Sequence, residues 1–249
     1  MLKGKIAVVT GGTRGIGYAI VKKYLENGAK VILFGSRQET VDKALASLKE
    51  ENPEWEVSGA CPSLTDAKEV ADEIQAIHRK YGKIDILVNS AGVVTKHDFW
   101  NTDEKEYDSI MDTNAKGTFF MSQAVGKQMV EKHIQGHILN VTSSSALRPA
   151  WTPYQMSKWA VNGLTQGLAD MMIPHGIVVN AIAPGPTATP MLAKKEGDSI
   201  YEPYTPSHRY AMPEELASLA LFMVSGAGNM IVGDTVYMTG GSGTITMHH

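Results

Sequence analysis

Cysteine is nearly absent from this chain. Cys61 is the only one in 249 residues, so no disulfide can close within it, and the usage fits a reducing, cytoplasmic setting. Charge of one sign is also missing. Lys and Arg number 23 against 26 Asp and Glu, a net charge of −3. With no block of like charge, neither nucleic acid nor a membrane surface is expected as a partner. No apolar run nears the roughly 20 residues that span a bilayer. The run Ile6–Val9 is too short for the core of a secretion signal and leads straight into glycines. His133 and His137 stand four apart, but Gly136 breaks the helix between them and no third ligand lies nearby, so no metal is expected. His248 and His249 are given no role.

What is there is a core. At 43% hydrophobic residues, a chain of this length can bury one sizeable α/β domain, expected here over residues 1–249. Short apolar runs alternate with longer amphipathic ones. Strands are predicted at Lys5–Thr10, Lys30–Phe34, Trp55–Ala60, Ile84–Asn89, Gly136–Thr142, Ile177–Ala183 and Asp234–Thr239. Runs such as Val31-Ile32-Leu33-Phe34 are apolar on both faces, as in parallel strands covered on both sides. Helices are predicted at Gly15–Asn27, Gln38–Glu51, Thr65–Tyr81, Pro153–His175 and Pro213–Ser225, with a long one over Thr102–Lys132 that breaks near Asn114. Thr65-Asp66 supplies an N-cap and Pro213 a first-turn proline. The alternation predicts a Rossmann-type, doubly wound parallel sheet of about seven strands with helices on both faces. The irregular stretch 184–212 is expected to be a substrate loop.

Two motifs carry chemistry. The first strand runs into Thr10-Gly11-Gly12-Thr13-Arg14-Gly15-Ile16-Gly17. Glycines there permit a tight turn and a close approach of backbone to a pyrophosphate, which sits on the positive end of the following helix. An acidic residue about 20 positions on usually grips the 2′-hydroxyl of NAD. Here the second strand ends Phe34-Gly35-Ser36-Arg37. Arg37 and Arg14 are instead suited to a 2′-phosphate, so NADP(H) is expected over NAD(H). The second motif is Tyr154-x-x-x-Lys158, one helical face. A phenol's pKa of about 10 is too high for proton exchange near neutrality, and an ammonium about 4 Å away is the right size of perturbation to lower it. The preceding strand ends in Ser143-Ser144-Ser145, hydroxyls placed where open α/β sheets bind ligands.

Together with Asn89-Ser90-Ala91-Gly92, Asn114 and Pro184-Gly185, in that order along nearly the whole chain, these motifs resemble those of the short-chain dehydrogenase/reductase family. The resemblance implies that Tyr154 is the acid/base, that Lys158 lowers its pKa and bonds the nicotinamide ribose, and that Ser143 orients the substrate oxygen. Asn114 would hold a water linking Lys158 to solvent. Pro184, Gly185, Thr187 and Thr189 would border the nicotinamide, while Asn89, Ala91 and Gly92 would line the cofactor crevice. The family's adenine-side aspartate is replaced by Ser63, followed by Leu64. Ser143 precedes the tyrosine by less than the usual spacing, which leaves Ser144 and Ser145 open for its role. The segment Gly11–Glu50 is similar to bacterial bile-acid hydroxysteroid dehydrogenases.

Substrate contacts are expected from Ser145, Trp151 and Met191, in a pocket suited to a secondary alcohol or ketone on a bulky hydrophobic body. Reduction of 3-oxoacyl carrier protein and sugar or polyol oxidation stand as alternatives, and an NADP(H)-sensing binding protein as the non-enzymatic one. Arg148 is read as a solvated loop residue, with contact to a substrate anion as the alternative. The family's assembly implies a homo-oligomer, tetramer or dimer, through Thr102–Lys132 and Pro153–His175.

Overall fold

Residues 1–195 and 197–245 are described by a computed structural model; His248 and His249 lie outside them. Seven parallel strands form one sheet in the order β3-β2-β1-β4-β5-β6-β7. They are β1 (Ile6–Thr10), β2 (Lys30–Phe34), β3 (Val57–Ala60), β4 (Ile86–Asn89), β5 (His137–Val141), β6 (Val178–Pro184) and β7 (Thr235–Met238). The helices are α1 (Gly15–Glu26), α2 (Gln38–Glu51), α3 (Ala67–Tyr81), α4 (Glu104–Met111), α5 (Gly117–Glu131), α6 (Pro153–Met172) and α7 (Pro213–Met223).

The strands alternate between two cores. Ala7, Val9, Val31 and Leu33 pack beneath α1, α2 and α7. Their neighbours Ile6, Val8, Ile32 and Phe34 pack beneath α3, α5 and α6. With both faces buried, period-two alternation of polarity vanishes and the strands read as continuous apolar runs. The chain winds outward from β1 to β3, then returns to place β4 beside β1. That reversal opens a crevice past the carboxyl ends of β1 and β4.

Several boundaries move. Asp66, not Thr65, caps α3, accepting from the amides of Lys68 and Glu69 at 2.9 and 3.0 Å. Strand β4 begins after Asp85, whose carboxylate accepts from the Ile6 amide at 2.9 Å and pairs with Lys5 and Lys83. The long helix divides into α4 and α5 around a π-helical turn, Asp112–Lys116, which contains Asn114. Among the described residues of segment 184–212, a 3₁₀ turn at Pro190–Leu192 and isolated bridges Thr187–Ala211 and Tyr201–Arg209 follow the end of β6. Among the described residues no helix is long and apolar enough to cross a membrane, and no three His, Cys, Asp or Glu side chains gather as metal ligands.

Candidate active site

The floor of the crevice is the glycine turn. Gly11 and Gly15 have φ of +66° and +57°, open to glycine at little cost. A Cβ on Gly11 would lie 2.8 Å from the Ala91 Cα, and one on Gly17 would strike the Gly11 carbonyl. Thr10 Oγ1 accepts from the amides of both Ser90 and Ala91 at 3.1 Å, which clamps the exit of β4 onto the exit of β1. No side chain caps α1, so its first-turn amides and its positive dipole end face the crevice. The backbone cradle and the uncapped helix fit a dinucleotide's pyrophosphate.

The crevice has a volume of about 790 Å³. The glycine turn contributes Gly11, Thr13, Arg14, Gly15, Ile16 and Gly17 to its wall. Ser36, Ser63, Leu64, Ala91 and Gly92 follow from the ends of β2, β3 and β4. Pro184, Gly185, Thr187 and Thr189 enter after β6, with Met191 beyond them. Ser143, Ser145, Trp151, Tyr154 and Lys158 close the wall between β5 and α6.

Two expected wall residues, Asn89 and Arg37, lie elsewhere. The buried Asn89 amide donates to Ser122 Oγ at 3.0 Å and to Asn140 Oδ1 at 2.9 Å, and Asn140 donates to Thr165. Asn89 thus ties the sheet to α5 and α6 instead of lining the crevice. Arg37 is exposed at the N-cap of α2, outside the wall, because the chain turns away after Ser36. Asn114 sits behind the wall. Its amide donates to the Val93 carbonyl at 2.9 Å and to Ser157 Oγ at 3.0 Å, while its oxygen accepts from the Val93 amide at 2.8 Å. It fastens the chain after β4 to the helix bearing Tyr154 and Lys158.

Helix α6 starts from a capping box: Thr152 accepts from the Gln155 amide, and the Gln155 side chain accepts from the Thr152 amide. This pins the first turn, and Tyr154 with it. Lys158, buried one turn on, donates to the Val141 carbonyl at 3.0 Å and stands 5.6 Å from the centroid of the Tyr154 ring. A Cβ on Gly92 would come within 3.3 Å of Asn114 Oδ1 and 3.7 Å of Lys158 Nζ, which places both groups beside the Gly92 backbone.

The proton energetics differ from the expectation built on spacing. Burial pushes the Tyr154 phenol up, and the Ser143 hydroxyl beside it pulls it back. Burial also brings the Lys158 ammonium down to about 8. Lys158 rests its ammonium on the Val141 carbonyl. Among the three serines, the Ser143 hydroxyl is the one that acts on Tyr154, and Ser143 Oγ also accepts from the Ser145 amide at 3.1 Å. A 3₁₀ turn over Ser144–Leu147 takes up the short spacing to Tyr154.

Arg148 follows that turn, exposed as expected and on the rim of the wall. Ser242, which the sequence did not single out, joins the wall from the segment after β7 and accepts from Arg148 at 3.3 Å. No local pattern marks Ser242, because its approach depends on where the chain goes after the last strand.

Residues 5–199 match the model of the short chain dehydrogenase family. The chain is 43% identical over 245 residues to a 3alpha-hydroxysteroid dehydrogenase of Mediterraneibacter gnavus, covering 96% of this chain and 97% of the relative. It is 31% identical over 244 residues to a 3-oxoacyl acyl-carrier-protein reductase of Thermotoga maritima, covering 96% and 98%. The structure superposes with a TM-score of 0.89 on a gluconate 5-dehydrogenase of Burkholderia cenocepacia solved with NADP and tartrate, at 27% identity over 98% and 97% of the two chains.

Proposed function

This chain belongs to the short chain dehydrogenase family, and from that premise we propose that it is an NADP(H)-dependent oxidoreductase interconverting a secondary alcohol and a ketone on a hydroxysteroid or comparably bulky apolar body. The observation that carries the reading is a single crevice with a glycine-turn cradle on one part of its wall and Ser143, Tyr154 and Lys158 on another. NADP(H) supplies the transferable hydride when bound. The turn Gly11–Gly17 and the first turn of α1 hold its pyrophosphate, and Thr187, Thr189, Pro184 and Gly185 border its nicotinamide. Tyr154 carries the proton exchanged with the substrate oxygen. Ser143 orients that oxygen by hydrogen bonding, Lys158 bonds the cofactor ribose, and Asn114 positions α6 behind both. The steroid assignment draws on the Mediterraneibacter gnavus relative, whose similarity spans the substrate-side segments as well as the cofactor half. Exposed Phe119, Met156 and Trp159 on α5 and α6 support assembly of a single-domain, cytoplasmic protein into a homo-oligomer, tetramer or dimer.

The test is a screen of ketosteroids, 3-oxoacyl thioesters and keto sugars with both cofactors, followed by absorbance at 340 nm. Turnover confined to keto sugars or thioesters would move the substrate assignment; none with any carbonyl would end the enzymatic reading. Cofactor choice has its own outcome. Arg14→Ala is expected to raise the KM for NADPH about tenfold and that for NADH less than twofold, since a charge-assisted phosphate contact is lost only with the former. Arg37→Ala is expected to act in the same sense, more weakly, from its place outside the wall. Equal losses for the two cofactors in both variants would reject the 2′-phosphate reading.

A further inference from the structure

The amides in the first turn of a helix have no carbonyl one turn back to bond. At the start of α6 the capping box serves Thr152 and Gln155, and Pro153 has no amide to offer. That leaves the amide of Tyr154 itself. Its acceptor is Thr95 Oγ1 at 3.4 Å, on the segment that follows β4. The tyrosine of the site is thus tied, through its own backbone, to a residue 59 positions away.

Segment 93–97 has no regular structure, and among the described residues no backbone–backbone hydrogen bond holds it. Side chains do. Asn114 takes both polar groups of the Val93 backbone at one end. Glu106 takes the other end. One of its oxygens accepts from the amides of Lys96 and His97, and the other meets His97 Nδ1. Glu106 stands in the first turn of α4, three residues after the Asp103 cap, whose carboxylate accepts from its amide at 2.7 Å. A glutamate at that place ordinarily turns back onto the amide of the cap residue. This one is turned outward, onto a neighbouring segment. Its side chain is only 12% exposed, and the Lys96 amide, then the His97 ring, hold its carboxyl below the usual carboxylate range. Packing does not make the same link. A groove of about 330 Å³, walled by Glu104 and Tyr107 of α4 and by Pro153 and Met156 of α6, opens between the starts of the two helices.

We infer that Glu106 is a positioning residue for Tyr154, acting through segment 93–97: it clasps Lys96 and His97, and Thr95 beside them carries that hold to the first turn of α6. This rests on the oxidoreductase reading above, which gives Tyr154 its proton to carry. Thr95 lies between the anchors at Val93 and Lys96, so losing one anchor frees the segment to swing about the other. Val93 and Val94, on the same segment, line the crevice, so the clasp sets the phenol and the wall beside it together. A misplacement of about 1 Å at a reacting group can cost about 10²-fold in rate. The glycine turn that cradles the cofactor is not part of this chain of contacts.

The experiment compares the wild type with Glu106→Ala, Glu106→Gln, Thr95→Val and the double variant Glu106→Ala/Thr95→Val. With a ketosteroid and NADPH, Glu106→Ala is expected to lower kcat about 10- to 100-fold while the KM for NADPH stays within about twofold. Glutamine keeps an oxygen for the two amides, so Glu106→Gln should return to within about threefold of the wild type. Thr95→Val removes the acceptor at nearly constant volume and should lower kcat in the same sense. The double variant should lose less than the product of the two single losses, because both substitutions break one chain of contacts. Losses that multiply, no recovery with glutamine, or a kcat unchanged in Glu106→Ala would overturn the inference. Hydrogen exchange at the Tyr154 amide reads the same link without turnover, and Glu106→Ala should speed it at least about tenfold. Melting curves of each variant separate this from general loosening: faster exchange at Tyr154 that is matched throughout the sheet by a lowered Tm would also overturn it. Local speeding at Tyr154 in a protein that reduces no carbonyl would leave the positioning link standing and sink the oxidoreductase reading. Normal turnover by the wild type with unchanged exchange in Glu106→Ala would sink the link alone.

Discussion

A Tyr154→Phe enzyme is expected to bind NADPH within about twofold of the wild type and to reduce its ketone between about 10² and 10⁴ times more slowly, the range supplied by a positioned proton donor. The substitution removes one oxygen. The ring stays on the first turn of α6, where the Thr152–Gln155 capping box fixes it, and the glycine turn that cradles the cofactor is untouched. The pH dependence carries a sign. Burial holds the phenol above its ordinary range, opposed only in part by Ser143, so at neutral pH it is protonated and suited to donating to a carbonyl. Alcohol oxidation needs the deprotonated form and should rise with pH well past neutrality, whereas ketone reduction should fall only on the alkaline side. Steady-state rates in both directions from pH 6 to 10 check this. A Phe variant keeping a tenth of wild-type activity, or oxidation that is fastest in acid, would remove Tyr154 from the proton path.

Much of the arrangement is legible in the residues, and the failures have identifiable causes. Continuous apolar runs such as Val31–Phe34 call for a sheet covered on both faces, and the two cores supply the cover. The polar Asp112-Thr113-Asn114 interrupts a helical pattern, and the chain answers with a π-helical turn that aims Asn114 at Val93 and Ser157. Asn89 belongs to a motif at the crevice, but its parity on β4 turns it the other way. It shares a face with Leu87, two residues earlier, which packs under α3, α5 and α6, and strand geometry sends it there rather than into the crevice. Arg37 and Ser242 escape for a different reason. Where a loop departs from the sheet, or where the last segment comes to rest, depends on long-range packing that no local spacing encodes. The energetics of Tyr154 and Lys158 also exceed what a four-residue interval can tell. The spacing puts them on one face, but desolvation of both, and the Val141 carbonyl that takes the ammonium, decide their proton affinities.

That desolvation makes Lys158 costly to the fold, and Lys158→Met should expose the cost. The folded ammonium titrates at about 8, against its ordinary 10.5. Between those values the unfolded chain binds more protons than the folded one, so stability contributed by this group rises with pH through the window. Below about pH 8 the full penalty is present, roughly 3 kcal/mol for a shift of this size. Methionine fills a similar volume with no charge to bury, but forfeits the charged hydrogen bond to Val141, worth about 2 kcal/mol. The variant should therefore be more stable than the wild type by about 1 kcal/mol at pH 7, a Tm higher by about 2–4 °C for a chain of this size. The gap should close as pH approaches 10.5, where the wild-type side chain is neutral when folded and losing its proton when unfolded. Activity should move the other way, by at least about 10²-fold, since the group proposed to bond the cofactor ribose beside Tyr154 is gone. Scanning calorimetry of both proteins at pH 7 and pH 10, beside a 340 nm assay, reads the two effects independently. If the methionine variant melts lower at pH 7, the buried ammonium is not the strained element described. If it melts higher and still turns over normally, the strain has no catalytic purpose and Lys158 leaves the site.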